Sequence, residues 1–219
     1  MATDKKYKLT RESITIDNHT LYRIQAVRNF EGVKKGDLGG FVETESNLSH
    51  DGNCWVNKNA QVFANARVYN DAWVCDYARI DGNAWVFGNA HIDRTAWVSE
   101  NARVSENTNI RGDAHIAGNA EVLGHAYIGG SAQVYGNVLL DERILITGDS
   151  LIYGNAIIKG RISISQNSEI HGDAILNVIY NHHYDLTVSV DHGHWTHIIE
   201  EHDKIYLISN TLHKLKISK

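Results

Sequence analysis

Proline is absent from the whole chain. Turns must therefore be built from glycine, asparagine and aspartate. Cysteine is nearly absent: Cys54 and Cys75 are the only two, and they fall at positions expected to face opposite ways, one inward and one outward. A bridge between them is geometrically poor, so the expectation is reduced thiols in a cytoplasmic protein. No apolar run approaches the roughly 18 residues that cross a membrane, and Met1 to Arg11 is polar and lysine-bearing, so neither a signal peptide nor a membrane partner is expected. Positive charge is scarce as well. Lys plus Arg number 21 against 26 Asp plus Glu, and residues 47–178 carry 9 basic and 14 acidic side chains. That balance argues against nucleic acid bound along a broad basic stripe.

What the chain has is a period. From Val56 to Leu176 every sixth residue is Val, Ile or Leu, 21 times in succession. Two places earlier stands a small residue, usually alanine, as at Ala60, Ala66, Ala72, Ala78, Ala84, Ala90, Ala96 and Ala102. Starting the hexad at Asn53, Asn59 and Asn65, positions two and four face a shared interior because alternate strand residues point to opposite sides. Positions three and five face outward. Positions six and one, as in Gly82-Asn83 and Gly118-Asn119, make a corner from residues that tolerate tight backbone angles. Three hexads close an eighteen-residue coil, so residues 47–178 give about seven triangular coils, a repeating solenoid. Residues 1–46 and 179–219 are then an N-terminal cap and a C-terminal cap or oligomerisation tail.

The run Ile80-Asp81-Gly82-Asn83-Ala84-Trp85-Val86 and its neighbours resemble the hexapeptide-repeat, left-handed parallel β-helix superfamily, known for acyltransferases and gamma-class carbonic anhydrases. Left-handedness is an implication of that resemblance. A closer likeness, to YdcK-like hexapeptide proteins of enteric bacteria, phages and prophages, rests on Tyr22-Arg23-Ile24, Ala26-Val27, Val33 to Glu43, Asn47-Leu48-Ser49 and Gly52 to Val56. It implies an all-β protein, and its phage and prophage setting implies action in the host cytoplasm on a host protein, including inhibition of a defence system, or on a nucleotide signal.

Outside the repeat, Ser13-Ile14-Thr15-Ile16, a turn at Asp17-Asn18-His19 and Thr20 to Val27 read as a hairpin capping the first coil. Gly36 to Gly40 reads as the turn that feeds the chain onto that coil. A phosphate cradle there would need a following helix and a placed lysine, which are missing. In the tail, Leu186 to Val190, Trp195 to Ile199 and Lys204 to Ile208 read as strands of one small antiparallel sheet, with Ser209 to Ile217 a short helix or final strand. Seven of the 13 histidines lie there. His192 and His194 beside Asp191, with His197, could chelate a metal, but a strand turns His197 to the other face, and loop histidines with no metal are the expectation.

Candidate binding residues come from the outward positions, read in rows eighteen apart. One row is Trp55, Trp73, His91, Asn109, Tyr127; a second is Arg79, Trp97, His115, Gln133; a third is Arg67, Trp85, Arg103, Glu121, beside a stack of Tyr69 and Phe87. Exposed tryptophan at this density either forms stacking ladders that stiffen the prism or calls for a partner, a homo-oligomer (dimer or trimer) or another protein. The alternation Arg67-Trp85-Arg103, repeated in Arg79-Trp97-His115, also suits a small anionic aromatic ligand such as a nucleotide. Leu139, Ile157 and Ile175 form an aliphatic row for docking the tail or a second subunit. An acyltransferase using acetyl-CoA, with His115 or His91 as general base, is the alternative. The uninterrupted hexads lack the extruded loop by which such enzymes enclose a donor, so a non-enzymatic binding protein without a cofactor is the leading expectation. His91, His115 and His125 do not reproduce the carbonic anhydrase spacing.

Overall fold

The computed structural model describes residues 5–165 and 168–180, and beyond them the strands Leu186–Asp191, Thr196–Glu201, Lys204–Ser209 and Leu215–Ile217. The hexads form two-residue rungs such as Trp55–Val56, Gln61–Val62 and Arg67–Val68. Each rung pairs in parallel with the rung three steps on, so Trp55, Trp73, His91 and Asn109 lie in register, and likewise Val56, Val74, Ile92 and Ile110. A rung that skips two neighbours to find its partner defines a three-sided coil, and about seven coils stack into an all-β solenoid.

The coil closes because position six adopts a left-handed backbone in every hexad described from Gly52 to Gly160, and again at Gly172. Glycine holds many of these sites, but Lys58, Ala64, Asn70, Asp76, Arg94, Glu100, Glu106 and Glu142 accept it too. The corner is thus a property of the repeat and overrides residue preference. The aliphatics at position four are all buried, and so is the residue two places before each except Ser168. Fully burying one such side chain contributes about 1.5–3 kcal/mol, and the stacked hydrophobic columns are what hold the coils together.

One corner carries a second ladder. The amide nitrogens of Asn65, Asn83, Asn101, Asn119 and Asn137 each donate to the Oδ1 eighteen residues on, at 2.8–3.0 Å, and Asn155 donates to Asp173 at 2.7 Å. Asn119→Ala removes two of these bonds in mid-ladder. At a net contribution of about 0.5–1.5 kcal/mol each, the variant is expected to lose roughly 1–2 kcal/mol in a urea denaturation. An unchanged midpoint would mean that water serves the corner equally well.

The N-terminal cap is a hairpin, β1 (Tyr7–Ile16) and β2 (His19–Ala26), turned at Asp17 and Asn18 with φ of 49° and 68°. Two successive positive φ values match the right-handed twist of the flanking strands. A third strand, β3 (Leu38–Val42), pairs antiparallel with β2 and parallel with the rung Gln61–Val62. The cap is therefore an extension of the second face that covers its exposed edge. Gly39 and Gly40 do not form the turn read from the sequence. They lie inside β3 because a Cβ on Gly39 would stand 2.5 Å from both Ile24 Cγ1 and the Val56 carbonyl oxygen, and one on Gly40 2.4 Å from the Ala60 carbonyl oxygen. Bare backbone is what lets the strand approach the first coil.

At the other end strand pairing continues through the corner between the third and first faces. Leu139–Ile146 and Ile157–Ile164 run as single strands through it, where position two holds Ile144 and Ile162 instead of alanine. The tail is two units, not one sheet. Ile175–Tyr180 pairs antiparallel with Leu186–Asp191, which pairs with Leu215–Ile217, while Thr196–Glu201 and Lys204–Ser209 form a separate hairpin. The last segment is a strand. His182, His183, His192, His194, His202 and His213 lie outside the described residues, as does the side chain of His197.

Candidate functional site

The three outward rows have different fates. The first is covered. Trp55 does face outward from its rung, yet it is 1% exposed, because Phe30 packs edge-on at 5.3 Å and Tyr7 at 6.4 Å. The expectation that Trp55 contacts a ligand or partner is corrected: it anchors the cap. Trp73, next in the row, is half-buried against the main core. The anchor is reinforced by Tyr7, whose hydroxyl donates to the Leu48 carbonyl at 2.7 Å, and by buried Lys6, whose Nζ donates to the Cys54 carbonyl at 2.8 Å and lies 3.2 Å from its Sγ. Burial holds the Lys6 pKa below and the Cys54 pKa above their ordinary values.

The second row is saturated. The Arg79 guanidinium lies 4.9 Å from the Trp97 ring and 4.8 Å from that of Phe63. Its Nε donates to Asp81 at 2.5 Å and its terminal nitrogen to Asp17 of the hairpin turn at 2.6 Å. The Trp97 indole N–H donates to Asp81 at 3.1 Å. His115 stacks flat on Trp97 at 4.2 Å with Nε2 2.8 Å from the Ser99 hydroxyl, and burial pushes its pKa below the usual imidazole value. Two carboxylates already neutralise Arg79, so the row fastens the hairpin to the second face. His91 on the first face is likewise engaged, 3.3 Å from Asp93, which in turn lies 3.2 Å from Arg111.

The third row is open. Arg67, Trp85 and Arg103 are in register and exposed. The two guanidiniums stand 5.9 and 5.3 Å from the Trp85 ring. Tyr69 meets Trp85 edge-on at 6.0 Å and stacks on Phe87 at 4.8 Å and 3°. Among the described residues Arg67 has no carboxylate partner, and Arg103 has only Glu121 at 3.9 Å, a solvent-exposed contact of small value. A cavity of about 540 Å³ opens beside the row, with Arg67, Tyr69 and Trp85 on the coil side and Glu45, Leu48 and His50 on the other.

That opposite wall is where the cap runs into the first hexad, with Glu45 at the end of the cap and Leu48 to His50 in the hexad. Glu45 begins a short 3₁₀ turn, Glu45–Asn47, pinned by the Asn47 amide donating to the carbonyls of Ala64 and Ala66. Lys5 binds the Glu45 carboxylate at 2.7 and 2.9 Å and holds its pKa down. His50 packs against Tyr7 with ring centroids 4.3 Å apart and planes tilted by 30°, and burial lowers its pKa. The cleft thus has a neutralised acid on one wall and Arg67 beside an indole on the other, with Arg103 on the far side of that indole, a surface that favours a flat, electron-rich, negatively charged group.

Leu139, Ile157 and Ile175 are in register at the far end of the third face, with Ile175 39% exposed. Among the described residues no three His, Cys, Asp or Glu side chains converge as a metal site. Burial pushes the Cys75 thiol up to about 11, which removes it as a nucleophile near neutral pH. No helix among the described residues is long and apolar enough to cross a membrane.

The YdcK beta solenoid repeat family is matched over residues 60–76. Together with the seven stacked coils, that match supports a YdcK-like β-solenoid. No curated protein matches the chain.

Proposed function

We propose that this YdcK-like solenoid is a non-enzymatic binding protein whose cleft between the Glu45–His50 segment and the third face takes an anionic aromatic group. The observation that carries the reading is Trp85, flanked by Arg67 and Arg103 and facing a cavity that nothing in the described chain fills. A nucleotide is the small-molecule form of such a group. Acidic and aromatic side chains of a host protein are the macromolecular form, and the resemblance to phage and prophage proteins makes a host defence protein a fitting target. The aliphatic row Leu139, Ile157 and Ile175 offers a separate surface for a second copy.

The acyltransferase alternative would need a histidine beside a space that admits substrate and coenzyme. His115 is stacked, hydrogen-bonded and half-buried, His91 is paired with Asp93, and neither lines the cavity described above. These features weigh against a general base at either position.

Thermal-shift and tryptophan-fluorescence titrations against nucleotides and acetyl-CoA test the reading. A nucleotide is expected to bind, and Trp85→Ala and Arg67→Gln each to weaken it at least tenfold, about 1.4 kcal/mol. Stabilisation by acetyl-CoA that is lost in His115→Ala but kept in Trp85→Ala would instead establish the transferase.

A further inference from the structure

The first residue of each hexad is ordinarily a polar corner residue. Along the corner between the third and first faces it reads Asn53, Asp71, Asn89, Asn107, and then His125, Arg143 and Arg161, each eighteen residues from the last. The corner that carries the asparagine ladder shows no such change. The substitution falls where strand pairing continues through the corner. Leu139–Ile146 and Ile157–Ile164 run unbroken through it, with positive φ kept at Glu142 and Gly160, and pair Arg143 directly with Arg161. The backbone N–H of His125 donates to the Glu142 carbonyl, which sets His125 one coil before Arg143.

Neighbouring parallel strands lie about 4.8 Å apart, so the three basic side chains make a column roughly 10 Å long. Like charges placed directly opposite one another destabilise a sheet. Among the described residues neither Arg143 nor Arg161 has a carboxylate within 4 Å. Of the acids nearby, Asp141 is paired with Lys159 at 3.7 Å, and Glu142 is exposed at the corner itself. The column borders a groove of about 380 Å³ whose lining also includes Tyr127, Leu145 and Ser163. Cations with uncompensated mutual repulsion beside an open groove are arranged to receive an anion through charge-assisted hydrogen bonds.

We propose that the His125–Arg143–Arg161 groove is a second binding site, specific for a phosphorylated small molecule carrying one or two phosphate groups. Two guanidiniums about one strand spacing apart can each present a fork of N–H donors to the same phosphate. A second phosphate reaches toward His125, and Tyr127 offers a ring to the organic part. The groove lies several coils from Trp85, so this site stands or falls independently of the third-face cleft. The rival occupant is internal: the hairpin Thr196–Glu201 and Lys204–Ser209 approaches Ile157–Ile164 and carries Glu200 and Glu201.

Isothermal titration with inorganic pyrophosphate at fixed ionic strength tests the site on the full chain. Saturable binding with one equivalent is expected, weakened at least tenfold in Arg143→Gln/Arg161→Gln and unchanged in Trp85→Ala. Because the double variant removes a repulsion, its melting temperature without ligand is expected to equal or exceed that of the parent. An absence of saturable binding, or equal binding by the double variant, would overturn the proposal. So would a lowered melting temperature in the double variant together with binding that emerges only in Glu200→Gln/Glu201→Gln, which would assign the arginines to the tail.

Discussion

Val104→Asp is expected to abolish cooperative folding. Val104 is fully buried in the middle of the prism, stacked between Val86 and Val122 in the third-face column. The substitution deletes about 1.5–3 kcal/mol of hydrophobic burial and inserts a carboxyl group whose neighbours are aliphatic. Burial without a partner costs several kcal/mol more, whether the group stays ionised or takes up a proton. In a solenoid each coil leans only on its neighbours, so a break at mid-length separates two half-stacks that must each survive alone. Circular dichroism melting is the measurement, with Val104→Ala as a milder control that should lower the midpoint and keep the transition. A parent-like melt for the aspartate variant would show that position four does not face inward.

Gly39→Val should produce the second largest effect, confined to one end. The valine Cβ would meet Ile24, the Val56 carbonyl oxygen and the Trp55 ring at 2.5, 2.5 and 2.7 Å. The Val56 backbone on one side and the fully buried Ile24 and Trp55 side chains on the others leave little that can yield, so β3 must lift from the first coil. Lifting it exposes Trp55 and Phe41 and breaks the pairing of Phe41 with Gln61. A loss of roughly 3 kcal/mol or more is expected, in line with severe overpacking. Limited proteolysis should then cut within residues 5–46 while the coils resist. Resistance equal to that of the parent would mean that the strand does not lie against the coil as described.

The repeat made much of this architecture legible. Position four could be assigned inward, and Arg67, Trp85 and Arg103 assigned to one row, because a period of two within the rung and of eighteen between coils fixes every side chain's direction. Direction is not exposure. Trp55 and Trp85 occupy equivalent positions, and the difference between them is made by Tyr7 and Phe30, which lie outside the hexads and obey no spacing rule. Arg79 looked as available as Arg67 until Asp17 arrived from the hairpin turn. Glu45, at the end of the cap, obeys no spacing rule either. Gly39 and Gly40 were misread as a turn because glycine signals either a tight backbone angle or a close approach, and the sequence does not say which. The continuous pairing through the corner after the third face was foreshadowed by Ile144 and Ile162 in place of alanine and by the basic residues Arg143 and Arg161 at position one.

The asparagine ladder gives the prism an electrical direction. All six amide groups donate toward the C-terminal end, so their dipoles add head to tail and polarise one another, as peptide dipoles do along a helix. The positive pole arrives at residue 173, the single position in that column where asparagine gives way to aspartate. A carboxylate there accepts the last N–H and offsets the accumulated dipole. One corner of an otherwise symmetric triangle thus tells its two ends apart.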